Sequence, residues 1–308
     1  MANQIEKVAV VQKKLDQLIV QEMTTAWMEA NHDQVQYFGG DEVKIPVLTV
    51  DGMGNYNNGY VAGSASLKFI TKKMTQDRGR SFDLDVRDVD ETAGIVTIFQ
   101  IMNEFQRTQV IPEIDAYRIS FLANNALTNN MVKASYTPAK ATIIDEIKDG
   151  IKAIRKIGYN GELMIHANYD TITEVEKARA VVANTMTITL HGIETRVQQI
   201  DGVPIIPTSD NVMVSKIKLN DGTTSTQEKG GFEKDPTAKT VNFLVVGKNV
   251  PIAVTKLDTI RVFDPMTNQS ANGWKADYRR FHDIWVMENK KKCVFVNIKE
   301  ARKRTGDN

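Results

Sequence analysis

Apolar residues recur at three- and four-residue steps through residues 4–30, where Ile5, Val8, Val11, Leu15, Leu18, Ile19, Met23, Ala26 and Trp27 mark one helical face. That face suits an ordinary packed helix, and equally an arm lying on a neighbouring chain. The pattern changes at Gly39-Gly40. EVKIPVL (42–48) reads as a strand that Pro46 confines to an edge. DGMGNYNNGYVAGSAS (51–66) is a run of turn formers with little to bury, and LKFITKKMTQDRGRSFDL (67–84) resumes an extended pattern. A two-stranded excursion with so few apolar residues has no core of its own and is marginal in water. It is expected to lie on another surface, that of another subunit.

Residues 76–92, QDRGRSFDLDVRDVDET, crowd six acids among three arginines. Phe82, Leu84 and Val86 alternate with Asp83, Asp85 and Arg87, which predicts a half-buried strand with its charges in water. Asp88 to Thr92 precede an apolar run of period 3.6 (Ile95, Ile98, Phe99, Met102, Phe105), so they read as the cap of a helix reaching about Gln109. Pro112 should break or kink it and push Ile111 toward an extended conformation. A second helical pattern follows through Ile114, Tyr117, Phe121 and Leu122.

Thr137-Pro138 marks a helix start over 137–157, with Ile143, Ile144, Ile147, Ile151 and Ile154 as its buried stripe and Gly158 as its stop. ELMIHAN (162–168) reads as a strand, and Tyr169–Val182 as a helix capped by Asn168 or Asp170. ETRVQQI (194–200), VPIIPTS (203–209), VMVSKIKL (212–219), VNFLVVG (241–247) and VPIAVTKL (250–257) read as strands, with 220–240 a solvated polar loop. HDIWVMENKKKCVFVNIK (282–299) reads as a hairpin turning at Glu288–Lys291. The sum is an α+β chain.

Composition narrows the function classes. The 308 residues are 42% hydrophobic and 25% charged, a globular balance, and the net charge of +1 sets up no global field toward nucleic acid. Cys293, the one cysteine, excludes an internal disulfide or a multi-thiolate metal site. No window approaches the roughly 18 apolar residues of a membrane helix, and the N-terminus lacks the apolar core of a secretory signal, so no membrane partner is expected. The acids of 76–92 fail the calcium-loop pattern, because Arg87 and Asp88 occupy a ligand and the glycine position of a loop begun at Asp83. Phosphate loops, dinucleotide fingerprints and nucleophile elbows are absent. His32, His166, His191 and His282 are scattered, and His166 and Cys293 sit in apolar strand contexts that suit core residues. No metal, cofactor or catalytic residue is assigned. An enzyme with a spatially assembled site stays a remote alternative.

QDRGRSFDLDVRDVDET (76–92), FQRTQVIPEIDAYRISFLA (105–123), GVPIIPTS (202–209) and YRRFHDIWVMENKKKCVFV (278–296) together resemble the major capsid proteins of tailed bacteriophages, the Hong Kong 97-type shell fold, and within it the versions from phages and prophages of Gram-positive hosts. The resemblance implies an N-terminal arm (1–38), an extended loop over an adjacent subunit (39–78), a peripheral domain with a long spine helix from about Glu91 to Ala126 (79–130), an axial domain (131–270) and a C-terminal return whose hairpin closes the peripheral sheet (271–308). It implies a subunit that forms hexamers and pentamers of an icosahedral shell around double-stranded DNA, located in the virion and assembled in the host cytoplasm. The arm leaves no room for a fused scaffolding segment, so a separate scaffolding protein and a portal are expected partners. Contacts between subunits are expected at Arg78, Arg80, Asp77, Asp83, Lys68, Lys72, Tyr56, Tyr60 and Trp27, with Arg78 and Arg80 pairing nearby carboxylates across the interface. An encapsulin-like nanocompartment shell is the alternative within the same fold.

Overall fold

Seven strands form the largest sheet, in the order β5-β15-β12-β6-β9-β8-β7. The computed structural model describes residues 23–34, 36–37, 42–56, 58–87, 97–178, 185–190 and 193–301. The strands of this sheet are β5 (Val132–Lys133), β6 (Leu163–Ala167), β7 (Thr185–Leu190), β8 (Ile193–Ile200), β9 (Val203–Pro207), β12 (Val241–Gly247) and β15 (Val294–Ile298). Every residue of β6, β12 and β15 is buried. A nearly continuous apolar run such as VNFLVVG, broken only by Asn242, suits a strand covered on both faces.

Helix α3 (Ile143–Lys156) lies against β12 and β15, burying Ile143, Ile147 and Ile154 completely, while Ile144 and Ile151 are only partly covered. Gly150 lets the helix approach: a Cβ there would meet the Phe295 ring at 2.9 Å. The helix begins at Ile143 after Thr142 and not at Pro138, because Ala139 O first accepts the N–H groups of Thr142 and Ile143 in a separate turn. Gly158, at φ +92°, ends it as expected. Helix α4 (Tyr169–Ala178) is capped by Asn168, whose Oδ1 accepts the Thr171 N–H at 2.9 Å. The expected extension to Val182 lies outside the described residues.

A second sheet is built from long strands, β13 (Pro251–Phe263), β14 (Gly273–Val286) and β4 (Gln76–Asp85), in the order β13-β14-β4. The helical rod beside it runs from Ile98 to Thr128 in three parts: α1 (Ile98–Phe105), a π-helical segment (Gln106–Val110) and α2 (Ile111–Thr128). At 1.5 Å per residue the rod is on the order of 45 Å long. Pro112 neither breaks it nor extends Ile111, which is helical at φ −60°, ψ −51°. The widened turn, in which the Ile111 N–H reaches Gln106 O, relieves the clash between the proline ring and the carbonyl four residues back. The cap of α1 is Thr97, in a reciprocal box with Gln100. The caps expected at Asp88 to Thr92 lie outside the described residues. Phe82 and Leu84 face the rod, whereas Val86 already belongs to a helical turn.

Three further expectations change. Residues Ala26–Gln34 form 3-10 turns instead of the end of an α-helix, and the pattern at 4–22 lies outside the described residues. The 282–299 hairpin does not form: β14 stays in the long-stranded sheet, Glu288–Lys290 makes a 3-10 turn, and β15 crosses to the seven-stranded sheet. Within 212–240, Ile217–Leu219 (β10) pairs with Phe232–Lys234 (β11), Val214 makes a single bridge to Thr240, and the chain between the two strands is held down by bonds described below. The strand at 185–190 has no counterpart among the sequence expectations.

Candidate functional site

The 42–73 excursion is the hairpin that its composition predicts. β2 (Glu42–Val50) and β3 (Ala65–Lys73) pair from Glu42↔Lys73 to Val50↔Ala65, with β1 (Gln36–Tyr37) on the outer edge of β2. Its root is anchored: Val43, Ile45 and Met74 pack on Phe281 and Trp285 of β14. Beyond Ile45 the strands leave the body. Leu48 and Val50 share one face with Leu67 and Phe69, and Leu48 is 65% exposed. Lys68 and Lys72 lie on the opposite face, exposed. Residues 51–64 close the tip. Asp51 accepts both the N–H and the hydroxyl of Ser64 at 2.7 Å, bonds that hold its carboxyl below the ordinary range. Tyr56 and Tyr60 meet edge to face with centroids 5.3 Å apart, and Met53 and Tyr60 stand almost wholly in solvent. Eight of the eleven large hydrophobic residues exposed among the described residues lie on this hairpin, so the apolar surface is concentrated there.

Beside the root, along β4, the alternation of the strand sorts the charges. Asp77 and Asp83 face outward with Arg279 and Lys275 of β14. Asp77 takes a two-pronged bond from Arg279 (2.9 and 2.6 Å), which holds its carboxyl low, and Asp83 sits in register with Lys275. Arg78 and Arg80 share the parity of Phe82 and Leu84 and face inward, toward the rod. The Arg78 guanidinium uses four of its five N–H donors within its own chain. It grips Glu113 of α2 with Nε and Nη2 (2.8 and 2.9 Å) and donates to Asn220 O (2.8 Å) and Gly231 O (3.3 Å) on the β10–β11 connection. Arg80 reaches Glu228 O at 3.1 Å. The two arginines therefore staple the supposedly solvated loop to the strand and the rod. The carboxylate that Arg78 was expected to find across an interface is matched within its own chain by Glu113.

A cleft of about 360 Å³ opens between β4, the rod and this loop. Its apolar wall is Phe82, Phe105, Val110 and Ile114, and Arg80 and Lys229 stand at its edge. Tyr278 and His282 of β14 line it from below, both buried. Among the described residues no group of three His, Cys, Asp or Glu side chains could hold a metal ion.

Trp27 is a core residue, contrary to the interface expectation. It is buried in the main cluster and donates its indole N–H to His166 Nε2 at 3.1 Å, the two rings stacked 6.0 Å apart. His166 is completed by Thr208 Oγ1 at 3.1 Å, and burial pushes its pKa down to about 3. The bond from Trp27 makes Nε2 an acceptor, so the neutral ring carries its proton on Nδ1. The same N-terminal segment is held by charges that sequence reasoning missed. Glu29 accepts from Arg118 Nη2 (2.5 Å) and Arg280 Nη2 (2.9 Å), and Arg280 also grips Asp258. Burial raises the Glu29 carboxyl, and the two guanidiniums outweigh it and hold it low. Asp115, buried on α2, accepts the N–H and hydroxyl groups of both Thr24 and Thr25. The signal was present: Arg118 lies in the apolar stripe of α2, four residues from Ile114 and from Leu122, where a charge needs a buried partner.

No protein-family profile matches the chain, and no curated protein matches it by sequence. Solved structures do share its architecture, and most of them come from phages. The asymmetric unit of the bacteriophage PhiM1 mature capsid is 12% identical with a TM-score of 0.53, over 84% of this chain and 82% of that one. The capsid structure of the cyanophage P-SCSP1u is 12% identical with a TM-score of 0.53, over 87% and 86%. A structure from Microbacterium phage Oxtober96 is 10% identical with a TM-score of 0.55, over 87% and 90%. At these identities the likeness is one of fold. The chain has the α+β fold of tailed-phage capsid proteins, the Hong Kong 97 type.

Proposed function

We propose that this chain is a major capsid protein whose copies assemble into the hexamers and pentamers of an icosahedral shell enclosing double-stranded DNA. The observation that carries the reading is the hairpin: a segment with an anchored root and an exposed apolar face, on a fold shared with phage capsids along most of the chain. Such a face is stable in water only when covered, and a closed symmetric assembly covers it once per subunit while making modest contacts collectively strong. In this reading residues 1–38 are the arm, 39–78 the loop over a neighbour, 79–130 the peripheral domain, 131–270 the axial domain, and 271–308 the return, with β14 in the peripheral sheet and β15 in the axial one. Tyr56, Tyr60, Lys68 and Lys72 on the hairpin and Arg80 and Asp83 beside it are the contact residues. The scaffolding protein, the portal and the virion location belong to the same proposal.

Electron microscopy of the expressed chain tests it. Closed shells, or capsomer-sized oligomers with a scaffolding protein still to be supplied, support the reading. A monomer at every concentration and ionic strength tried, with or without the scaffolding protein, overturns it. Nuclease-resistant double-stranded DNA inside purified particles distinguishes a genome container from a shell for other cargo.

A further inference from the structure

We propose that the cleft between β4, the helical rod and the 220–231 loop receives the phenol ring of Tyr60 from a second copy of the chain. The inference rests on the shell-forming reading and names the contact through which the hairpin is covered. The cleft is of the size that holds a ligand group, at the lower end of the roughly 300–1,000 Å³ range. One wall is aromatic and aliphatic, where Phe82 and Phe105 meet edge to face at 4.9 Å and Phe105 meets Tyr278 at 5.8 Å, and charged side chains such as Arg78, Glu113 and Lys229 line the rest. Deep in it, two buried polar atoms lack partners. His282 Nδ1 has no hydrogen bond, and Tyr278 Oη stands near the Asp258–Arg280 pair without a bond of ordinary geometry. Buried polar atoms are normally satisfied, so a cleft with one apolar wall and two such atoms among its lining residues fits an occupant with an apolar body and a polar tip. A phenol has that form, and its hydroxyl both donates and accepts, so it suits either tautomer of His282. Arg80 at the mouth offers a cation to the face of an entering ring.

The exposed hairpin tip supplies such a group. Tyr60 is 96% exposed at the hairpin tip and is backed edge-on by Tyr56. The chain's own Tyr60 cannot be the occupant. The tip lies beyond two nine-residue strands, about 30 Å from the root at ~3.3 Å per residue. The cleft begins at Asp77, three residues past the root residue Met74. A hairpin that keeps its register points its tip away from its own cleft, so the ring must come from another copy.

The test places a photoreactive benzophenone amino acid at position 60 of the full chain and irradiates particles assembled from mixed light and heavy isotope chains. Mixed-isotope adducts mapping to residues 105–114, 220–231 or 278–282 are the expected result. Particles whose adducts map elsewhere overturn the docking proposal and leave the shell reading standing. An unsubstituted chain that forms no particles overturns the shell reading itself. If the bulky probe alone prevents assembly, Tyr60→Cys chains are mixed with Gln109→Cys chains, both carrying Cys293→Ser, since Gln109 lines the same cleft. Disulfide-linked dimers of the two are then expected, and their absence overturns the proposal.

Discussion

Replacing Arg78 by Met separates two accounts of that arginine. In the structure it is an internal staple between β4, α2 and the β10–β11 connection. Its side chain is 25% exposed and that of Glu113 is 15% exposed, so the pair lies between the surface and interior regimes. Exposed pairs contribute about 0–1 kcal/mol, while breaking a buried pair costs about 3–5 kcal/mol because one charge is stranded. Met fills the volume but leaves Glu113 without its counter-ion and Asn220 O without the guanidinium, while Gly231 O keeps the Asn220 N–H, which puts the loss at about 2 kcal/mol. For a chain of this length that is a fall in Tm of roughly 3 °C, read on unassembled subunits by circular dichroism. A double-mutant cycle with Glu113→Gln should return a coupling of about 1–2 kcal/mol. If Arg78→Met leaves subunit stability within about 0.5 kcal/mol and the coupling vanishes, while particle yield drops in a salt-dependent way, the staple is wrong and Arg78 pairs across an interface.

Replacing residues 51–64 with Asn-Gly joins Val50 to Ala65 through a two-residue turn. Unfolding of the isolated subunit should be unchanged and closed particles should disappear on micrographs. Gly150→Ala should destabilise by about 1–2 kcal/mol in urea unfolding despite the better helix former, because the new Cβ meets the Phe295 ring. His166 titrates at about 3 in the folded chain against about 6.5 unfolded, so its contribution is intact at neutral pH and is lost as pH falls below 6.5. Between pH 7.5 and pH 5 this group alone should remove roughly 2 kcal/mol, and His166→Gln should flatten that part of the pH dependence; His282, also held low by burial, leaves a remainder.

Much of the fold was legible because it rests on local periodicity. The anchored hairpin, the α3 stripe with its glycine stop and the buried strands of the large sheet follow from spacing that a short window contains. Three features were not legible, two of them because they depend on partners far along the chain. VMENKKKCVFV has the look of a hairpin, and only the pairing of β14 with β4 and of β15 with β12 sends its halves to different sheets. Pro112 has the look of a break, and it is the π turn at Gln106–Val110 that carries the rod past it.

The 220–240 run has a composition that solvates well, yet Arg78 and Arg80, about 140 residues earlier, hold it down. Here the sequence did contain a usable sign. In QDRGRSFDLD the two arginines fall on the same alternate positions as Phe82 and Leu84, which is the covered face, and the aspartates Asp77 and Asp83 fall on the other. Density of acids drew attention to that stretch, but parity decides the roles of its charges. The outward aspartates are left to solvent, their cross-strand cations and any neighbouring subunit. Arg78, partly covered, is met internally, because a covered charge must find its acceptors at the place where the fold leaves it, whereas Arg80 on the same side of the strand stays exposed.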